Sequence, residues 1–172
     1  MQLPSRSPEA SAVSSDAGGT ALTLMQLVQR CHTWVAQGQL QAAMAAYKDW
    51  IAQHPTEPSS AVAAFNLAAL LNQNGQKEQA LAFNKLATQI QPRLYQAWVN
   101  LGLCQESLGQ TQQALQTWQQ ALMEAPGQVM LLNHIGRVQE TAKDYAAAQK
   151  SLLQSLVLDP QQPDVWQHYL HL

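Results

Sequence analysis

The chain has 172 residues, 47% of them hydrophobic and only 12% charged, with a formal net charge of −2. This is enough apolar content for one domain with a continuous core, at about half the usual share of charged residues. The near-neutral balance offers no basic face to nucleic acid and no polybasic anchor to a membrane surface.

Residues 1 to about 20 are rich in Ser, Ala, Pro and Gly and hold almost no large apolar side chains, which predicts a disordered tail. They lack the apolar centre of a signal peptide. No later stretch is long enough to span a bilayer, because Gly, Pro and polar residues break every apolar run. A soluble, cytoplasmic protein is expected.

From residue 21 onward one pattern recurs. The first copy, about 24–57, carries Leu27, Cys31, Trp34, Gly38, Ala43, Tyr47 and Pro55. A short insertion at Pro58, Ser59 and Ser60 makes the step to the next copy 37 residues. The second copy, 61–94, places Ala64, Leu67, Ala68, Gly75, Ala80, Asn84, Ala87 and Pro92 in the same slots. The third, 95–128, has Trp98, Leu101, Gly102, Gly109, Ala114, Trp118, Ala121 and Pro126. The fourth, 129–162, has Leu132, Ile135, Gly136, Lys143, Ala148, Leu152, Ser155 and Pro160. A partial fifth, 163–172, begins with Pro163, Trp166 and Tyr169. Pro92, Pro126 and Pro160 thus fall 34 residues apart, and a period of that length marks a repeat array.

Each copy reads as two antiparallel helices too small to bury their own apolar face, so neighbouring copies must stack. Ala and Gln, both strong helix formers, supply much of the helical sequence. Small residues at Gly102, Gly136, Ala114 and Ala148 allow close approach, with Trp98, Trp118 and Leu152 filling the space between helices. Gly75 and Gly109 suit a left-handed turn inside the copy, and the prolines stop the second helix.

The slots Trp98, Leu101, Gly102, Ala114, Trp118, Ala121 and Pro126 resemble the tetratricopeptide repeat, over roughly residues 24–172. Two departures from its pattern weaken individual packing contacts: Gln105 and Gln139 fill the usual Tyr slot, and Asn84 replaces an aromatic residue. The resemblance implies an all-α, right-handed superhelical solenoid whose first helices line a concave groove used to bind proteins or extended peptides.

Reading one groove slot across the copies gives Gln29, Asn66, Asn100, His134 and His168, a polar column throughout. A carboxamide is both donor and acceptor and can pair with a peptide unit whatever side chain that unit carries. The column either holds a peptide backbone in this way or solvates the groove and bonds across neighbouring helices. A second slot runs from apolar Val28, Phe65 and Val99 to polar Asn133 and Gln167, predicting a groove that is apolar early and polar late. Arg137 is the groove's one obvious permanent cation, and an ion pair with Glu140 on its own helix is expected. Family members that clamp the carboxylate tails of chaperones present several Lys and Arg side chains instead.

Other chemistry has little support. Cys31 and Cys104 sit two copies apart and read as buried free thiols. Neither a paired-cysteine motif nor a zinc-protease motif is present, and no metal or cofactor is expected. His168 and His171 share a helical face without a matching set of ligands, and the serines cluster in the tail and linker without a nucleophile elbow. No catalytic residue is assigned.

Longer strings, Asn133-His134-Ile135-Gly136-Arg137, Ser155 to Pro160 and Asp164 to Tyr169, look like the repeat segment that precedes the catalytic region of SPINDLY-type bacterial O-linked N-acetylglucosamine transferases. That resemblance implies substrate-holding roles for Asn66 and Asn100 and a catalytic region beyond this chain. The last helix leaves Leu170 and Leu172 uncovered, where solenoids normally finish with a polar cap. This predicts either a truncated longer protein or a homo-oligomer joined through the open end.

Overall fold

The structure, a computed structural model, describes residues 22–172. The expected disordered tail, residues 1–20, lies outside them. The described residues form nine α-helices and no strand: α1 (Leu24–Ala36), α2 (Leu40–Gln53), α3 (Pro58–Gln73), α4 (Lys77–Ile90), α5 (Tyr95–Ser107), α6 (Thr111–Glu124), α7 (Val129–Thr141), α8 (Tyr145–Leu158) and α9 (Pro163–His171). Each helix packs mainly on its neighbours in sequence, α3 on α4, α5 on α6 and α7 on α8 within pairs, and α2 on α3, α4 on α5 and α6 on α7 between them. The result is an all-α solenoid of stacked antiparallel pairs.

Turn chemistry sets this geometry. Within each pair a three-residue turn carries a left-handed residue in its middle: Gly38 (φ 74°), Gly75 (φ 75°), Gly109 (φ 75°) and, in the same slot, Lys143 (φ 63°). The following amide then reaches back to a carbonyl of the finished helix, as Gln110 N does to Gln105 O at 2.8 Å and Asp144 N to Gln139 O at 2.9 Å. These bonds satisfy carbonyls that the helix end would otherwise leave open.

The second helix of each pair stops for another reason. Its C-cap is His54, Gln91, Ala125 or Asp159, each with φ between −129° and −140°. Pro55, Pro92, Pro126 or Pro160 comes next, and a residue before proline is pushed out of the helical region by the ring.

Pro58, Ser59 and Ser60 were expected as an insertion between copies. They form the first turn of α3, which has 16 residues against 13 in α1, α5 and α7. Pro58 occupies the helix start, where its missing N–H costs nothing. The buried Ser60 hydroxyl donates to the His54 carbonyl, tying the added turn to the preceding copy.

Side-chain size is matched between helices of a pair. Trp118 is fully buried, and a Cβ on Gly102 would overlap its indole. One copy on, a Cβ on Gly136 would come within 2.6 Å of Leu152 Cδ2. Trp98 is only half-buried, and its indole N–H donates to the Pro92 carbonyl at 2.8 Å, fixing the linker between copies. Trp166 repeats that bond to Pro160 at 3.0 Å.

The departures at the usual aromatic slots are compensated. Gln105 Oε1 accepts from the Thr117 hydroxyl at 2.7 Å, and one period later Gln139 Oε1 accepts from the Ser151 hydroxyl at 2.8 Å. A hydrogen bond thereby joins the two helices where the second copy uses the apolar Leu71 and Phe83. Both thiols are free and buried, as expected. Asn84 donates to Cys104 Sγ at 3.6 Å, and burial raises the thiol's pKa.

Candidate functional site

The first helices α1, α3, α5, α7 and α9 carry the residues of the polar column. Gln29 and His168 are exposed, whereas Asn66, Asn100 and His134 are half-buried. His134 on α7 stacks on Trp118 of the preceding second helix, with ring centroids 4.8 Å apart and planes at 22°. Asn66 on α3 stands in the same slot and lies beside Tyr47 of its preceding second helix. Burial, and then the adjacent Cys31, holds the Tyr47 hydroxyl's pKa well above its ordinary value. Tyr47 therefore stays protonated beside Asn66.

The second slot of the groove reading is corrected at Val99 by the structure. Val99 is 4% exposed and packs in a core cluster with Trp118, Leu131 and Ile135. Phe65 packs against the cluster of Ala64, Ala87 and Ala97 between α3, α4 and α5. Asn133 accepts from the Ser155 hydroxyl at 2.6 Å and donates to Gln162 Oε1 at 2.7 Å, so its amide bridges α8 and the linker to α9. Val99 is therefore core and not groove lining, while Phe65 and Asn133 are half-buried and take part in packing between helices. A helix buries a stripe wider than one residue, and Val99 falls inside that stripe.

Arg137 also has a different partner. Its guanidinium pairs with Glu106 on α5, one copy back, and not with Glu140. Glu140, which occupies Glu106's slot one period later, meets His168 Nδ1 at 3.2 Å. These two contacts run from α5 through α7 to α9 across the exposed side of the first helices. Burial, followed by the Arg137 guanidinium, lowers the His134 pKa below its ordinary value, and the Glu106 carboxylate opposes that shift.

The fold and this surface define a helical-repeat protein with a polar face along its first helices. Family models of the tetratricopeptide repeat match residues 34–95 and 96–127. The chain is an all-α solenoid built from tetratricopeptide repeats, and α7 with α8 continues the array beyond the matched residues.

Solved structures agree on the fold. A tetratricopeptide repeat protein from Parabacteroides merdae superposes with a TM-score of 0.73 at 20% identity, covering 83% of this chain and 56% of that one. MamA from Desulfovibrio magneticus gives 0.68 at 15% identity, covering 87% and 84%. TTC0263, a thermophilic repeat protein of Thermus thermophilus, gives 0.64 at 19%, covering 87% and 80%. No curated protein matches the chain significantly. These matches lend no support to the resemblance to SPINDLY-type transferases. Among the described residues, no helix is long and apolar enough to cross a membrane.

Proposed function

We propose that this chain is a non-catalytic scaffold that binds an extended segment of a partner protein along its first helices, with Asn66 and Asn100 pairing with the segment's peptide units. The observation that carries this reading is the occurrence of half-buried carboxamides in one slot of consecutive first helices. A carboxamide held at a half-buried site pairs with a peptide C=O and N–H at reduced ordering cost. Each such bond nets about 0.5–1.5 kcal/mol, so affinity has to come from several copies acting together.

Selection from a random extended-peptide library, followed by calorimetry, tests the proposal. Selected peptides should bind the Asn66→Ala, Asn100→Ala double variant about tenfold or more weakly, with its thermal unfolding unchanged, as two lost bonds imply. A variant that bound every selected peptide like the parent would reject the ladder.

A second reading is self-association. Met123, Leu153, Val157 and Leu158 on α6 and α8 are exposed, as are Trp166 and Leu170 on α9, and exposed apolar side chains in number mark contact surfaces. Light scattering across a concentration series distinguishes the two. A monomer at the highest concentration removes self-association and leaves peptide binding in place.

A further inference from the structure

A cavity of about 380 Å³ opens between α1, α2 and α3. Val35, Ala36, Ala69 and Leu70 contribute its apolar walls, and Asn66, with His32 and Gln73, supplies the polar part of its lining. Cys31 and Tyr47, 0% and 1% exposed, contribute from below, and no side chain with a permanent charge takes part.

The equivalent place two junctions further along the array is closed by the chain's own side chains. Two copies on from Val35 stands Glu106, two copies on from Ala69 stands Arg137, and the two are ion-paired there. Two copies on from Tyr47 and Asn66 stand Trp118 and His134, stacked ring on ring. At the α5–α7 junction the chain's own charged pair and aromatic stack therefore occupy the region. At the α1–α3 junction Val35 and Ala69 are too short to meet, and the space stays open and apolar.

We propose that this cavity takes one large uncharged side chain, aliphatic or aromatic, of the bound peptide, whose neighbouring peptide unit is held by Asn66. The inference rests on the groove reading and adds the class of residue that the partner must carry. Charge matching selects the occupant. An ammonium entering this lining would lose its water without a counter-ion, and a carboxylate would meet only the solvent-exposed imidazole of His32. The paired charges that would receive one, Glu106 with Arg137, lie on α5 and α7. Burial keeps the Cys31 thiol and the Tyr47 hydroxyl protonated, so the floor of the cavity is neutral as well.

The library selection is extended by two variants. Ala69→Leu fills the cavity with an aliphatic group, and Val35→Glu with Ala69→Arg transplants the ion pair of the later junction. Selected peptides should share one position enriched in Leu, Ile, Met, Phe, Tyr or Trp. Changing that residue to Ala should weaken binding to the parent at least tenfold, and changing it to Asp should weaken it further. Both variants, checked by thermal unfolding, should bind the apolar peptide as weakly as the parent binds the Ala form. Peptides that depend on Asn66 and Asn100 but show no apolar position would overturn the cavity proposal alone. An apolar position whose contribution survives in both variants would overturn it too, by placing the anchor elsewhere. Failure to select any peptide would overturn the groove reading and this inference together.

Discussion

Gly102 on α5 and Trp118 on α6 form a matched pair: the indole occupies the space that a Cβ on Gly102 would need, and its N–H donates to the Val99 carbonyl at 3.2 Å. A glycine in a helix interior costs about 1 kcal/mol relative to alanine. Here that cost admits the largest side chain to the centre of the helix pair. The first copy solves the same contact with Cys31 and Tyr47, a Cβ-bearing residue against a single six-membered ring.

Gly102→Ala should destabilise the fold by about 2 kcal/mol, the overpacking penalty outweighing the gain in helix propensity. Trp118→Phe alone should also destabilise, through lost volume and the lost bond to Val99. The double variant imitates the first copy, and its loss should fall short of the sum of the single losses by at least about 1 kcal/mol. Urea unfolding of the four proteins measures this coupling. Strict additivity would show that the two residues do not share the contact.

Asn84 is 1% exposed, donates only to a cysteine sulfur, and leaves its Oδ1 without a hydrogen-bond partner. An unsatisfied buried acceptor costs about 1–3 kcal/mol, and an apolar group of similar shape removes that cost. Asn84→Leu, the residue found in this slot at Leu152, should therefore raise the unfolding midpoint. Asn84→Ala should lower it by leaving a cavity. Equal losses in the two variants would show that the Asn84 amide is satisfied in solution.

Lys143 holds φ at 63° in the turn where three other copies place glycine. A side chain in the left-handed region costs about 1–2 kcal/mol. Lys143→Gly should recover about 1 kcal/mol of stability, less the larger backbone entropy of glycine in the unfolded chain. The reciprocal Gly109→Ala should lose a similar amount. Thermal unfolding of both variants provides the check, and a destabilised Lys143→Gly protein would mean that the Lys143 side chain makes a compensating contact.

The imidazole of His134 is held below its ordinary value of 6.5 by burial first and Arg137 second, against the opposing Glu106. The unfolded chain then binds this proton more readily than the folded one. The group leaves stability unchanged above pH 6.5 and removes it as pH falls from 6.5 toward the lower folded value. His134→Phe keeps a ring over Trp118 and abolishes the titration. Urea midpoints between about pH 8 and about pH 5 should fall more steeply for the parent than for the variant. Parallel curves would place His134 in an environment no different from water.

Much of the fold was legible because a 34-residue period repeats the same local physics. Proline after the second helix, glycine in the inner turn and small residues opposite large ones each act through near neighbours. The polar column is a reading of the sequence for the same reason, since one slot recurs at fixed offsets in every copy. The burial of Val99 is not legible in the sequence, because the width of the buried stripe on a first helix depends on how far the next pair leans over it. The cavity beside Asn66 was missed, although Ala69 and Val35 standing where Arg137 and Glu106 stand later is a signal that comparison of copies contains.

The sequence by itself determined the helices, their turns and the order in which pairs stack, because these follow from backbone sterics and from contacts that recur at fixed offsets. Only the tertiary structure decided that Arg137 pairs with Glu106 and not with Glu140, that Val99 is core, and that the α1–α3 junction stays open. Those outcomes depend on distances between side chains of different copies, which the close packing of adjacent helices sets.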